Sequence, residues 1–297
     1  MPANKRIAVW MSEKKLQKMN WQELETVCEK HGFEVFKLDL NKNLEEQGPF
    51  CVFLHKLTDI IASANQGDIR STQIISEVEN YLAENPSITV FDPIPNVKRL
   101  LDRYNQYSIM EASNLHNYKV FTPNFCVLRN EDLDVIKNDL KNSLVTYPFI
   151  CKPILGHGSR QAHEMSIIFD EKYLIDLGER HFYVERPSLK NFQASQRETI
   201  YFDSSDVSKA DSKSRLSVLD PDDILCERWD PNPKTMEVIA NILRKSFGMD
   251  LLGVDVVIEK TTGRYAIIDV NAYPGYDGFP NFLEALIECI SNKVTSN

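Results

Sequence analysis

Three oxygen-bearing side chains near the C-terminus have the types and the spacing that a divalent cation requires. Asp255 lies in one apolar run, Asp269 and Asn271 lie in the next, and the short polar segment between the runs contains Thr-Gly. This pattern predicts an antiparallel hairpin. If the turn is centred near Thr262, Asp255 faces Asp269 across the strand pair. Asn271 then points to the same face as Asp269, because side chains alternate along a strand.

Two facing carboxylates on an apolar sheet need a countercharge, because facing like charges and isolated buried carboxylates are both destabilising. Magnesium provides that charge, since it binds carboxylate and amide oxygens and keeps coordination positions free for phosphate. A single Asp in such a place would more often cap a turn or pair with a lysine. Three oxygen ligands on one face of one hairpin favour a metal site that handles phosphate.

Two further segments could contact phosphate. Lys152 directly follows a predicted buried strand, which would fix its ammonium group at the edge of a sheet, and a glycine-bracketed loop with His157 follows it. The loop that contains Gly275 precedes a predicted helix and could bring backbone amides close to an anion. Either segment alone would more often be an ordinary solvated loop. The two segments indicate phosphate binding only in combination with the metal site predicted on the hairpin.

Basic residues at the ends of predicted elements could form a cationic cleft. Lys15, Lys56 and Arg103 each lie at or near such an end, and Lys56 directly follows a buried strand, where α/β folds collect ligands. Surface bases are usually only solvated. However, the chain has a net charge of −9, so a polyanionic ligand would need locally concentrated positive charge. The same acidity argues against general nucleic-acid binding.

The composition is that of an ordinary globular protein, with 42% hydrophobic and 26% charged residues in 297. No apolar run is long enough to span a bilayer, and the first residues lack the apolar core of a signal peptide. The six cysteines are scattered, without a zinc-binding spacing. We therefore expect reduced thiols in a cytoplasmic protein that has no membrane partner.

The order of elements predicts an α/β fold. Up to about Ala112, apolar runs alternate with helical patterns in a β-α-β-α-β order. The middle of the chain has strand-like runs, including one at residues 124–128, and a helix that ends at Asn142. The last part has one long helix, the two strands of the hairpin and a final helix. Without an evident linker, these units predict one body with a cleft.

The sequence resembles a known family, the inositol 1,3,4-trisphosphate 5/6-kinases, which are also called inositol-tetrakisphosphate 1-kinases. The resemblance runs over nearly the whole chain in family order. It rests on the segments WMSEKK (10–15), HKLTD (55–59), LLDR (100–103), PFICK (148–152), HEM (163–165), ERPSLKNF (185–192), DSSDVSK (203–209) and IDVNAYPGY (268–276).

The resemblance implies an ATP-grasp fold with three domains, 1–112, 113–190 and 191–297, of which the central one is shortened. It implies transfer of the ATP γ-phosphoryl group to an inositol ring hydroxyl, with ATP as co-substrate and two Mg²⁺ ions. The roles that it implies are as follows: Lys152, Asp269 and Asn271 in catalysis; Lys15, Lys56, His163, Asn271 and Gly275 in substrate binding; Arg103, Lys152, Ser188, Ser204 and Ser208 in ATP binding; and Asp255, Asp269 and Asn271 as metal ligands.

The chain departs from the family between Leu177 and Gly178. Roughly twenty residues are absent there, about two strands and a turn. In the family this segment supplies the adenine-binding hinge and a lysine that contacts the inositol phosphate. The departure keeps open an alternative, in which the chain binds inositol phosphate without efficient ATP turnover.

A second alternative is an ATP-grasp carboxylate–amine ligase, which would use the same metal hairpin. The bases Lys15, Lys56 and His163 favour a phosphorylated substrate instead. We expect inositol polyphosphates and ATP as the partners of a monomeric protein.

Overall fold

A computed structural model describes residues 5–129, 132–154, 164–168, 189–192, 198–203, 207, 213–218, 221, 229–274 and 281–296. The chain divides into two compact units. The first comprises residues 1–99, 247–253 and 271–297, and the second comprises residues 100–246 and 254–270. The three predicted domains remain a prediction. Among the described residues, no helix is long and apolar enough to cross a membrane.

The first unit is built on a four-stranded parallel sheet with the strand order β2-β1-β3-β4. Its strands are β1 (Arg6–Trp10), β2 (Glu34–Lys37), β3 (Val52–His55) and β4 (Thr89–Phe91). The helices that connect and follow them are α1 (Glu13–Lys18), α2 (Trp21–Lys30), α3 (Leu44–Gln47), α4 (Thr58–Asn65), α5 (Ile69–Glu84) and α6 (Ile94–Leu101), of which the last ends in the second unit.

Local sequence signals explain where these helices begin. Asn20 caps α2, since its side chain accepts a hydrogen bond from Glu23 N and donates one to the Glu23 carboxylate. Asp68 caps α5 by accepting from Ser71 N at 2.6 Å. The helix ends at Asn85, its C-cap, because the following Pro86 disfavours a helical conformation at the residue before it.

The core of the first unit contains residues from both ends of the chain. The final helix, α10 (Phe282–Ser296), inserts Leu283, Leu286, Ile287 and Ile290 among the apolar residues of β1 and β3. Burying apolar side chains is the main favourable term in folding. The C-terminal helix therefore stabilises the N-terminal sheet.

The described part of the second unit has two three-stranded sheets, with the orders β5-β10-β9 and β6-β7-β8. Their strands are β5 (Val120–Phe121), β6 (Phe149–Cys151), β7 (Glu164–Ile168), β8 (Ile200–Asp203), β9 (Leu252–Ile258) and β10 (Tyr265–Ala272). The helices are α7 (Arg103–Glu111), a 3₁₀ helix (Asn114–Tyr118), α8 (Leu133–Asn142) and α9 (Pro233–Phe247). The first residues of β9, the last two of β10 and the last of α9 belong to the first unit.

One predicted strand is wrong. Residues 124–128 have no regular secondary structure, although their apolar pattern predicted a strand. Cys126 and Leu128 instead pack against the buried Ile136 and Leu140 of α8. The apolar run reflects this packing against α8, which an irregular segment can also achieve.

Candidate functional site

The predicted hairpin is confirmed. Strands β9 and β10 are hydrogen-bonded neighbours, and a tight turn joins them. Glu259 N donates to Arg264 O at 2.8 Å, and Gly263 N donates to Glu259 O at 2.9 Å. Gly263 has a φ of +66°, a conformation that glycine adopts without steric penalty. The turn places Asp255 on one strand and Asp269 on the other, while the predicted facing of their carboxylates stays a prediction.

Asp269 and Arg103 form a buried ion pair in the second unit. The Arg103 Nη2 lies 3.4 Å from the Asp269 Oδ2, and each residue is 6% exposed. Burial lowers the pKa of Arg103, and the neighbouring Asp269 opposes this effect. An arginine nevertheless stays charged in proteins. Asp269 is therefore a buried carboxylate with a permanently charged partner beside it.

Helix α7 lies along the edge of β10 and binds its backbone. Gln106 Nε2 donates to Val270 O at 2.6 Å, and the Tyr107 hydroxyl donates to Ile268 O at 2.6 Å. Strand β5 pairs with β10 only at Tyr265 and Ala266. The carbonyls beyond that short strand still need donors, because buried backbone groups are almost always paired. Side chains of α7 supply them.

Lys152 reaches the same carbonyl. Its Nζ donates to Ile268 O at 2.9 Å and lies 3.4 Å from the Tyr107 hydroxyl. The ammonium group therefore lies against the backbone of β10, which belongs to a different sheet from β6, while its predicted position at a sheet edge stays a prediction. However, strand β6, which Lys152 follows, is half-buried rather than buried, and Ile150 is 43% exposed. The hydrogen bonds, rather than a buried strand, hold the ammonium group.

Arg103 also binds the segment that follows Lys152. Its backbone N donates to Ile154 O at 3.0 Å, and its Nη1 donates to Pro153 O at 3.0 Å. The structure therefore brings Arg103, Lys152 and Asp269 together in the second unit. Sequence reasoning missed the contributions of Gln106 and Tyr107. Their spacing of three and four residues from Arg103 places them on the same helix face, which was the available signal.

In the first unit, two predicted substrate-binding lysines contact neighbouring carbonyls just after β10. Lys15 Nζ donates to Pro274 O at 2.7 Å. Lys56 Nζ donates to Tyr273 O at 2.9 Å. Burial lowers the pKa of Lys56, and Asp59 opposes this effect. The structure brings these lysines to one short stretch of backbone.

His55, which precedes Lys56, is buried and joins two strand ends. Its Nε2 donates to Asp92 O at 2.7 Å, and its Nδ1 accepts from Leu57 N at 3.3 Å. A ring that donates at one nitrogen and accepts at the other is neutral. Burial lowers the pKa of His55 to about 4, which agrees with this state. The His55 ring thus joins the residue after β4 to the backbone of Leu57, which follows Lys56, and sequence reasoning assigned it no role.

Asn271 follows Asp269 by two positions on β10 and is half-buried. Five other predicted site residues lie outside the described residues, so their roles stay predictions: His163, Ser188, Ser204, Ser208 and Gly275.

Comparison with protein families gives two matches that together span most of the chain. The family described as the inositol 1,3,4-trisphosphate 5/6-kinase pre-ATP-grasp domain matches residues 6–97. The ATP-grasp domain of the same kinases matches residues 114–177 and 175–292. The two segments of the second match meet where the sequence analysis places the missing segment.

Two curated relatives are similar over almost the whole chain. The inositol-tetrakisphosphate 1-kinase of Xenopus laevis is 37% identical, and that of Danio rerio is 35% identical. In both cases the similarity covers 97% of this chain and 78% of the relative.

Solved structures with low sequence identity share the fold. D-cycloserine synthetase DcsG has a TM-score of 0.56 at 13% identity, covering 97% of this chain and 99% of that one. The D-alanine–D-alanine ligase of Bacillus anthracis, complexed with ATP, has a TM-score of 0.53 at 15% identity. The match covers 98% of this chain and 97% of that one. The predicted ATP-grasp fold is thereby confirmed.

Proposed function

Since the chain belongs to the inositol 1,3,4-trisphosphate 5/6-kinase family of ATP-grasp enzymes, we propose that it is an ATP-dependent inositol-polyphosphate kinase. It transfers the γ-phosphoryl group to the 5- or 6-hydroxyl of inositol 1,3,4-trisphosphate or to the 1-hydroxyl of an inositol tetrakisphosphate. The observation that carries the proposal is that Arg103 pairs with Asp269 and binds Pro153 O, while Lys152 binds the carbonyl of the adjacent Ile268. Two bases beside a buried carboxylate fit the polyphosphate of ATP and its metal.

The oxygen donors on the hairpin fit magnesium. Asp255, Asp269 and Asn271 offer two carboxylates and an amide, the ligand type that this ion prefers. Among the described residues, no three of His, Cys, Asp and Glu form a metal-binding cluster, so the hairpin with its two carboxylates and one amide is the site that we propose. Bound there, one or two Mg²⁺ ions would neutralise charge that develops on the phosphates.

The protein's own groups would orient the nucleotide. Arg103 and Lys152 are held in place before ATP arrives, Arg103 by Asp269 and Pro153 O, and Lys152 by Ile268 O. Held side chains lose less conformational freedom when they bind a ligand. We assign further ATP contacts to Ser188, Ser204 and Ser208. Catalysis would rest on positioning and charge neutralisation, without a covalent intermediate.

We propose that a second set of basic residues binds the substrate phosphates. We assign this role to Lys15, Lys56 and His163, together with Asn271 and the backbone of Gly275. Lys15 and Lys56 support the assignment, because both ammonium groups are held at adjacent carbonyls.

An activity assay tests the proposal. Purified protein, Mg·ATP and inositol 1,3,4-trisphosphate should yield an inositol tetrakisphosphate, with the new phosphate located by NMR. Lys152→Met should lower the rate by about 100-fold or more, as loss of a preorganised charge does in other active sites. Lys141→Met, a change at an exposed lysine of α8, is the matched control. An amide product from amino-acid substrates would instead indicate a ligase, and full activity of Lys152→Met would contradict the assignment.

The junction in the family match supports one alternative, a chain that binds inositol phosphate with little ATP turnover. A chain without the hinge segment would lack the backbone groups that fix adenine. The test inserts the family segment between Leu177 and Gly178 and compares ATP affinity and turnover. A large gain in both would establish the alternative, and equal values would exclude it.

A further inference from the structure

The backbone of Tyr273 and Pro274, named here the carbonyl ledge, is held in one conformation by neighbours in the first unit. Tyr273 has a φ of +43°, which is uncommon for a residue with a side chain. Its N donates to Leu251 O at 2.8 Å. A Cβ atom at Gly253 would lie 2.7 Å from the Cβ of Pro274, so the ledge packs where only glycine leaves room. The ledge is therefore a rigid feature.

Tyr273 contacts both lysines that bind the ledge. Its carbonyl oxygen accepts from Lys56 Nζ at 2.9 Å. The ammonium group of Lys15 lies 4.8 Å from the centroid of its ring while it donates to Pro274 O. A cation at this distance from an aromatic ring is attracted to the ring. One residue thus holds two ammonium groups through two different kinds of contact.

The Tyr273 ring cannot move away from Lys15 without disturbing the core. It is 3% exposed and packs in the same apolar cluster as Ile7, Val9 and Ile287. Burial also raises the pKa of its hydroxyl, so the ring stays neutral. A fixed, uncharged ring can orient a lysine without neutralising its charge.

We infer that Tyr273 is a positioning residue that presents Lys15 and Lys56 as one pair to the substrate phosphates. This inference rests on the proposed function, because it gives the two lysines a phosphorylated ligand. A lysine ammonium has three N–H groups, so a bond to the ledge still allows it to donate to phosphate. Side chains that are already oriented lose less rotamer freedom on binding.

The experiment measures the affinity for inositol 1,3,4-trisphosphate by calorimetry at low salt. Tyr273→Leu removes the ring, and Tyr273→Phe keeps it. We expect Tyr273→Leu to bind about 3- to 10-fold more weakly, the range for one cation–ring contact, and Tyr273→Phe to stay within about 2-fold of wild type. The same loss should nearly vanish in a Lys15→Met background, because the ring acts through Lys15.

Phe33→Leu is the matched control. Phe33 is also 3% exposed in the same apolar cluster, and the Lys5 Nζ lies 5.2 Å from its ring centroid. A loosened core would lower affinity in Phe33→Leu and Tyr273→Leu alike, and that result would overturn the inference. Three other results would also overturn the inference: unchanged affinity in Tyr273→Leu, an equal loss of affinity in Tyr273→Phe, or losses of affinity from Tyr273→Leu and Lys15→Met that simply add.

The controls separate failure of the inference from failure of the proposed function. A wild-type protein that binds no inositol polyphosphate would refute both. If wild type binds but Lys15→Met binds equally well, the substrate site has been wrongly placed. If Lys15→Met weakens binding and Tyr273→Leu does not, only the positioning role fails.

Discussion

Arg103 and Asp269 are mutual countercharges in the interior of the second unit, with the guanidinium Nη2 3.4 Å from the carboxylate Oδ2. The pair joins the first turn of α7 to the strand that carries two of the candidate metal ligands. Each ion allows the other to remain charged away from water, because an unpaired buried charge is strongly unfavourable. Asp269 therefore has a structural partner in addition to its proposed metal.

Arg103→Met should lower the free energy of unfolding by about 3–5 kcal/mol, because it leaves the Asp269 carboxylate buried without its countercharge. Urea denaturation measures the change. Removing both charges with Arg103→Met/Asp269→Asn should recover much of the loss. Lys98→Met, which breaks the half-exposed pair with Glu79, is the control and should cost about 1 kcal/mol or less. Equal losses in Arg103→Met and Lys98→Met would contradict the buried-pair account.

Asp269→Asn and Asn271→Ala should each lower the rate of phosphoryl transfer by about 100-fold or more, since metal ligation contributes several kcal/mol to such reactions. A second measurement is independent of activity. With ADP present, added Mg²⁺ should raise the melting temperature of wild type but not of either variant. Asp134→Asn, at an exposed position of α8, should behave as wild type. A normal Mg²⁺ response in both site variants would refute the metal assignment.

Lys56→Met should weaken binding of inositol 1,3,4-trisphosphate. The difference in affinity between this variant and wild type should become smaller as the salt concentration rises. The reason is that charge pairing at a partly wet cleft is screened by ions. Titrations at two ionic strengths measure the effect. Lys18→Met, at an exposed position of α1, tests whether any lysine near the site acts in the same way. A salt-independent loss would point to a packing role of Lys56 instead.

His55 should make stability depend on pH between about 6.5 and 4. Its pKa is lowered from 6.5 to about 4 in the folded protein, so the unfolded chain binds the proton more readily in this window. The contribution is fully present above pH 6.5 and is lost as pH falls towards 4, by about 3 kcal/mol. Urea denaturation at pH 7 and 4.5 should show a smaller pH dependence for His55→Gln than for wild type. An identical dependence would argue against a buried neutral histidine, and His116→Gln, at an exposed ring, is the control.

Local signals in the sequence were sufficient for several elements. The cap of α2 at Asn20, the hairpin turn at Gly263 and the apolar face of α5 depend on residues close together in the chain. The predicted strand at residues 124–128 failed for the opposite reason. A strand requires a distant partner with free backbone groups, and an apolar pattern does not specify that partner.

The sequence by itself determined the α/β class, the ATP-grasp family and the charged residues of the candidate site. Only the tertiary structure decided that Arg103 pairs with Asp269, that α10 completes the N-terminal core, and that Lys15 and Lys56 bind the carbonyl ledge. Charge is a property of individual residues and hydrophobic periodicity is a property of short segments, so both can be taken directly from the sequence. Backbone carbonyls are present at every residue, and which of them meets a lysine depends on how distant segments pack. Tyr273 has no sequence signal for its inferred role, because that role arises from its place between two side chains that are distant in the chain.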